Sequence, residues 1–259
     1  MCSSDLVASI TKLFTWTAVM QQVEEGKLDL STDVNQYLKE VQIPATFDRP
    51  ITIKDLMTHT PGFEDVVVGV FTRDARSVPS LTEFLRSHMP ARVRPPGAVA
   101  SYSNEGTCLA GLAAADVAGT SWEDLIEKRI LLPLGMKHSM VKQPPPEELP
   151  ADLSKGYCWQ SGRFAAQGFE YEPEAPAGVL STTAGDAARF MLAHLQDGRL
   201  GDARILRAET ARRMREPLFR HAPAANAMCY GLWESDWNGL RIVGHGGDTF
   251  WFQIGRAHV

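Results

Sequence analysis

Ile10, Leu13, Trp16, Met20 and Val23 recur at three- and four-residue steps directly behind the tetrad Ser9-Ile10-Thr11-Lys12. That spacing predicts an amphipathic helix with one face against a core. Gly26 supplies its stop, because glycine adopts the left-handed conformation past a helix end at little cost. Ser9 stands at the head of this helix, where a hydroxyl commonly caps free N–H groups. Lys12, one turn on, lies on the same face as Ser9 and within its reach.

The pair has a chemical reading as well as a structural one. A serine hydroxyl is a weak nucleophile until a neighbouring base takes its proton. A lysine serves as that base only when burial or another cation lowers its pKa. The helix N-terminus favours developing negative charge nearby. Taken alone, Ser-x-x-Lys is more often a cap followed by a solvated lysine.

Two later motifs bear on this choice. Tyr102-Ser103-Asn104 follows the Pro95-Pro96-Gly97 break. A tyrosine there can relay protons, and an asparagine offers both donor and acceptor to a substrate amide or ester. By itself the tripeptide reads as a loop or cap. His245-Gly246-Gly247 follows the strand-like stretch Leu240 to Val243. Glycines there allow close approach of a ligand to the backbone, and such an edge can supply an N–H to an oxyanion hole. The segment lacks the lysine and the strand–helix setting of a phosphate loop.

Composition narrows the alternatives. With 44% hydrophobic and 22% charged residues, the 259-residue chain is of ordinary globular type, and its net charge of -5 gives no sign of nucleic-acid binding. It has no apolar run of 18 residues, so no membrane span is expected. Cys2, Cys108, Cys158 and Cys229 are scattered and form no Cys-x-x-Cys, and the seven histidines form no metal-binding group. Free thiols, no metal and no cofactor are expected.

Asp29 to Leu38 reads as a short acidic turn followed by a helical piece, and further helices are expected from Thr52 to Met57, Leu81 to His88, Gly106 to Ala118, Trp122 to Ile130, Thr183 to Leu195 and Ala208 to Met214. Gly156 to Tyr171 is expected to hold one or two short strands. Pro144-Pro145-Pro146 with Glu147 and Glu148 reads as an extended connector. Tyr230 to Trp233 and Leu240 to Val243 read as a hairpin around Asp236-Trp237-Asn238-Gly239.

Together the three motifs resemble the serine β-lactamase and penicillin-binding-protein superfamily, in its class C-like branch that also holds esterases and D-stereospecific peptidases. The likeness extends to the segments from Ile51 to Gly62, Pro95 to Asn104, Leu132 to Met136 and Pro176 to Thr182, and so spans about Val7 to Phe252. It implies an α+β, β-lactamase/transpeptidase-like fold, a helical region packed on an antiparallel sheet. It implies a serine hydrolase that forms an acyl-enzyme with a small ester, amide or D-peptide. Ser9 would be the nucleophile, Lys12 its proton acceptor and Tyr102 the proton shuttle. Asn104, His245, Gly246 and Gly247 would contact substrate. The backbone N–H groups of Ser9 and Asp248 would form the oxyanion hole. His245 replaces the lysine of many relatives and, being only partly charged near neutral pH, favours less anionic substrates. A non-catalytic module that binds peptide or cell-wall ligands is the alternative. An envelope location is implied by the resemblance alone.

Residues 1–6 and 254–259 resemble translated sequencing-library adapters. The expected native part is therefore 7–253, an incomplete hydrolase domain, mostly helical over about 7–215 with a sheet hairpin at about 229–253. A parent gene encoding these same terminal residues would refute this. The resemblance then implies a sheet lacking strands on both sides, an unpaired edge near Gly244, and a piece that is inactive or unstable without its parent.

Overall fold

The computed structural model describes residues 5–66, 69–145 and 153–258. Strand β1 (Asp5–Leu6) leads through a 3-10 turn, Ala8–Ile10, into helix α1 (Thr11–Glu24). The periodic spacing led us to expect one apolar face. Instead α1 is buried on every side from Thr11 to Gln22. Several of its polar groups reach partners within the interior: Thr15 Oγ1 donates to the Pro176 carbonyl, Thr17 Oγ1 to Leu13, and Gln21 Nε2 to Ile205, while both amide atoms of Gln22 are buried without a partner among the described residues. Buried polar groups satisfied in this way remove most of the cost of burying them.

Helices α2 (Ile53–Met57) and α3 (Leu81–Ser87) each begin with a capping box, Thr52 with Asp55 and Ser80 with Glu83. Helix α4 (Asn104–Ala118) starts at Ser103, whose Oγ accepts from Gly106 N, and ends at left-handed Gly119. It is rich in small residues and packs closely against α1. Helix α5 (Trp122–Ile126) widens into a π turn, Glu127–Leu131. The helical piece expected after the acidic turn within Asp29 to Leu38 is a single 3-10 turn, Val34–Gln36.

The hairpin β2 (Tyr157–Gln160) and β3 (Arg163–Ala166) occupies the stretch expected to hold short strands. The short helix α6 (Ala175–Gly178) follows, then β4 (Ser181–Thr182), which pairs antiparallel with β1. Helix α7 (Ala184–Leu195) is capped by Thr183. Strands β5 (Arg199–Leu200) and β6 (Ala203–Arg204) form a tight hairpin before helix α8 (Ala208–Met214). Pro144 and Pro145 precede residues 146–152, so most of the expected connector lies outside the described residues.

The largest sheet is antiparallel in the order β7 (Trp233–Trp237), β8 (Leu240–Asp248), β9 (Gln253–His258). Its first hairpin turns on Asn238 and Gly239 alone, at φ of 52° and 77°. Positive φ at both positions matches the twist of the flanking strands. The expected first strand is therefore shifted: it starts at Trp233 rather than Tyr230. The expected unpaired edge is not found either, because β9 covers β8, with Gly244 opposite His258. This sheet lies against the 3-10 turn that holds Ser9.

Candidate active site

Ser9 does not cap α1. It belongs to the 3-10 turn, and the helix that follows has no side-chain cap. Ala8 before it has φ of 48°, left-handed and strained for a residue with a Cβ. The turn leaves Ser9 half-buried, with Oγ 3.0 Å from Lys12 Nζ. Lys12 is fully buried, so the reading of a solvated lysine is excluded. Its ammonium donates to Ser9 Oγ and, at 2.7 Å, to the Ala177 carbonyl in the last turn of the short helix α6. No carboxylate forms an ion pair with it among the described residues.

Tyr102 enters from the loop before α4. Its ring centroid is 4.9 Å from Lys12 Nζ and its side chain is 38% exposed, so it faces both lysine and solvent. Asn104, the first residue of α4, is half-buried beside it in sequence. His245 on β8 completes the wall, its ring 6.0 Å from that of Tyr102 and 4.3 Å from Trp233. The register of β8 against β9 shifts between His245 and Gly247, an irregularity of the sort that redirects side chains beside active sites.

Gly247 meets the Ser9 turn directly. A methyl group there would overlap the Val7 carbonyl oxygen and stand 3.3 Å from Ser9 N. Strand β8 therefore approaches Ser9 backbone to backbone, and only glycine permits it. Gly246 and the exposed Asp248 flank this contact. Gly247→Ala is expected to push β8 off the turn and to lower kcat/KM by on the order of 100-fold, since small misplacements at a reacting centre cost that much. Steady-state kinetics on a folded variant checks it; unchanged kcat/KM would show that β8 does not shape the site.

Two histidines beside Tyr102 are neutral and hold opposite tautomers. His245 is 1% exposed; burial, and then the nearby Lys12, push it down to about 3. Its Nδ1 lies 2.6 Å from the Gly246 carbonyl and therefore carries the proton, leaving Nε2 as a bare, buried acceptor. The expectation of a partly charged histidine is thus corrected to an uncharged one. His59 has φ of 54°, and its ring packs 4.5 Å from Tyr102. It accepts from Ser103 N at Nδ1, so its proton is on Nε2. Burial first, then Lys12 and His245, hold it well below the ordinary histidine range.

The sequence motifs left His59 and Trp233 without a role, and also a set of buried acids. Glu105, Glu172 and Glu174 all lie in the interior behind Lys12. Burial pushes Glu172 up to about 8, and burial with Glu172 and Glu105 nearby pushes Glu174 up to about 9. The only local signal is the alternating acid run 170–174, which looks like a solvated stretch. Among the described residues no His, Cys, Asp or Glu group suits a metal ion. No helix among them is long and apolar enough to cross a membrane. Cys108, Cys158 and Cys229 are free thiols, and Cys2 lies outside the described residues.

A hydroxyl held against a buried amine, a flanking phenol and a glycine-lined strand together form a site suited to acyl transfer through serine. The family model described as Beta-lactamase matches residues 6–257, and the chain belongs to that family of serine hydrolases. Penicillin-binding protein 4 of Amycolatopsis lactamdurans is 31% identical over 251 residues, covering 92% of this chain and 64% of the relative. The chain thus spans under two thirds of that relative. The octameric penicillin-binding protein homologue from Pyrococcus abyssi superposes with a TM-score of 0.78 at 28% identity, covering 95% of this chain and 57% of that one. A D-stereospecific amidohydrolase from Streptomyces sp. shares the fold, with a TM-score of 0.73 at 22% identity over 96% of this chain and 76% of its own.

Proposed function

We propose that this chain carries the catalytic centre of a hydrolase that cleaves esters or amides through an acyl-enzyme on Ser9. The observation that carries the reading is the buried Lys12 ammonium nitrogen, 3.0 Å from Ser9 Oγ. Lys12 in its free-amine form takes the Ser9 proton as Oγ bonds to the substrate carbonyl carbon. The carbonyl oxygen becomes an oxyanion at the backbone N–H groups of Ser9 and Asp248. Collapse breaks the bond to the leaving alcohol or amine, which takes up a proton through Tyr102. Water then attacks the ester carbon, Lys12 and Tyr102 carry its proton, and Ser9 is released. Asn104, Gly246 and Gly247 line the acyl group.

His245 bears on the substrate. A neutral ring under Trp233 gives no fixed positive charge to a substrate carboxylate, which would then be desolvated without a partner. Uncharged esters and amides suit the site better than penicillins or D-Ala-terminated peptides. We assign the activity to the full-length parent, and place it in the cell envelope by resemblance.

The test is intact-mass analysis of the full-length protein after exposure to p-nitrophenyl acetate, a D-Ala-D-Ala peptide and a penicillin. The expected result is an acetyl adduct on Ser9, formed fastest with the ester. Absence of any adduct would favour a binding module instead; fastest acylation by the penicillin would overturn the substrate preference.

A further inference from the structure

Lys12 has two acceptors, and the second is set by a feature remote from the three motifs. The Ala177 carbonyl belongs to α6, a four-residue helix too short to hold its own place. Three bonds to α1 tie its vicinity down: Lys12 Nζ to Ala177 O, Thr15 Oγ1 to Pro176 O, and Leu180 N to Thr11 Oγ1. On its other side, Gly178 leaves a notch that the Glu172 carboxyl group fills. Any Cβ at position 178 would overlap Glu172 Oε1 and Oε2. The Glu172 backbone is clamped in turn, its N–H donating at 2.9 Å to Gln143 Oε1. The neighbouring Tyr171 exchanges both backbone hydrogen bonds with Thr72. A hydrogen-bonded segment thus presses a carboxyl group onto the turn whose carbonyl holds the lysine.

We propose that Glu172 is a positioning residue for the Ser9–Lys12 pair: its carboxyl group fills the Gly178 notch and so holds the Ala177 carbonyl against Lys12 Nζ. The proposal rests on the reading of Ser9 and Lys12 as nucleophile and base. Filling the notch needs the shape of the carboxyl group without its charge. Burial keeps the group protonated at neutral pH, and it ionises near 8. The charged and titratable groups around it are Lys12 from α1, Cys108 from α4, and Glu170 and Glu174 of its own segment, with Glu105 of α4 next to Glu174 and Cys108. Ionisation puts a charge into a buried notch, where it is costly, and loosens the packing of the carboxyl group against Gly178. The Ala177 carbonyl is then held less firmly, and turnover declines on the alkaline side.

The experiment compares Glu172→Gln, Glu172→Ala and Gly178→Ala with the wild type in the full-length protein. It reads kcat and KM for a p-nitrophenyl ester from pH 6 to 10, with thermal unfolding of each variant. The glutamine keeps the shape and is expected to retain kcat at pH 7 but lose the alkaline decline. Glu172→Ala and Gly178→Ala are expected to lower kcat on the order of 100-fold with KM little changed. A folded Glu172→Ala variant with wild-type kcat would overturn the positioning role. Should that variant fail to fold, the glutamine decides: a pH profile identical to the wild type would overturn the proposal, and loss of the alkaline limb supports it. A wild type that forms no adduct on Ser9 removes the underlying reading and the positioning role together. An adduct-forming wild type beside an equally active Glu172→Ala removes only the latter.

Discussion

Ser9→Ala in the full-length protein is expected to abolish the covalent adduct and to lower ester turnover by about 10⁴-fold or more, as loss of a nucleophile does elsewhere. Lys12→Met should come close to the same loss, because the two groups act as a unit and their effects do not add. The two variants differ in what they do to the fold. Ser9 is half-buried in a turn that does not use its hydroxyl as a cap, so its removal should leave stability nearly unchanged. Lys12 is fully buried, and its removal leaves the Ala177 carbonyl without its donor, a loss of about 1–3 kcal/mol. Rapid-quench turnover, intact mass and thermal unfolding on both variants check the pattern. A Ser9→Ala protein that still forms an acyl adduct would place the nucleophile elsewhere.

The second large effect is on stability. Three histidines, His59, His194 and His245, are held neutral by burial, with His194 at about 4 and His245 at about 3. Their folded values lie below the unfolded one, near 6.5, so the unfolded state binds more protons as pH falls and acid destabilises the fold. Glu172 and Glu174 work the other way, with folded values of about 8 and about 9 against an unfolded value of 4.5. Their contribution is complete below the unfolded value and is lost as pH rises toward the folded ones. Above about 6.5 the histidine term has ended and only the glutamates remain. Stability is therefore expected to peak near pH 6.5 and to fall by roughly 3–4 kcal/mol by pH 8, with two protons at about 1.4 kcal/mol per pH unit. Thermal unfolding from pH 5 to 9 tests this, and Glu174→Gln should flatten the alkaline side. A melting temperature that climbs steadily from pH 6.5 to 9 would contradict it.

Both effects show what a single chain can and cannot reveal. Helix α8 starts and stops where its pattern predicts, and the Asn238-Gly239 turn follows from two residues that tolerate positive φ. These are local decisions, written in adjacent residues. The motifs likewise announce Ser9, Lys12, Tyr102 and His245, which the fold brings within a few ångströms of one another. The charge state of His245 is not legible in the sequence, because it depends on burial under distant elements and on Lys12, remote along the chain. Nor was the burial of Glu172 and Glu174: a run of acids reads as solvated until Gly178 and α4 close over it. The all-round burial of α1 escaped for the same reason. Threonine and glutamine look like a wet face until distant carbonyls accept their hydrogens.

The contact of Gly247 with the Ser9 turn has a consequence for how the site comes into being. Its two halves come from opposite ends of the described chain, and neither can be placed by its own neighbours. Joining them closes a loop nearly as long as the chain itself, and such distant contacts are slow to form. During synthesis Ser9 and Lys12 leave the ribosome long before the strand that faces them, so the site is assembled only by a late, long-range closure.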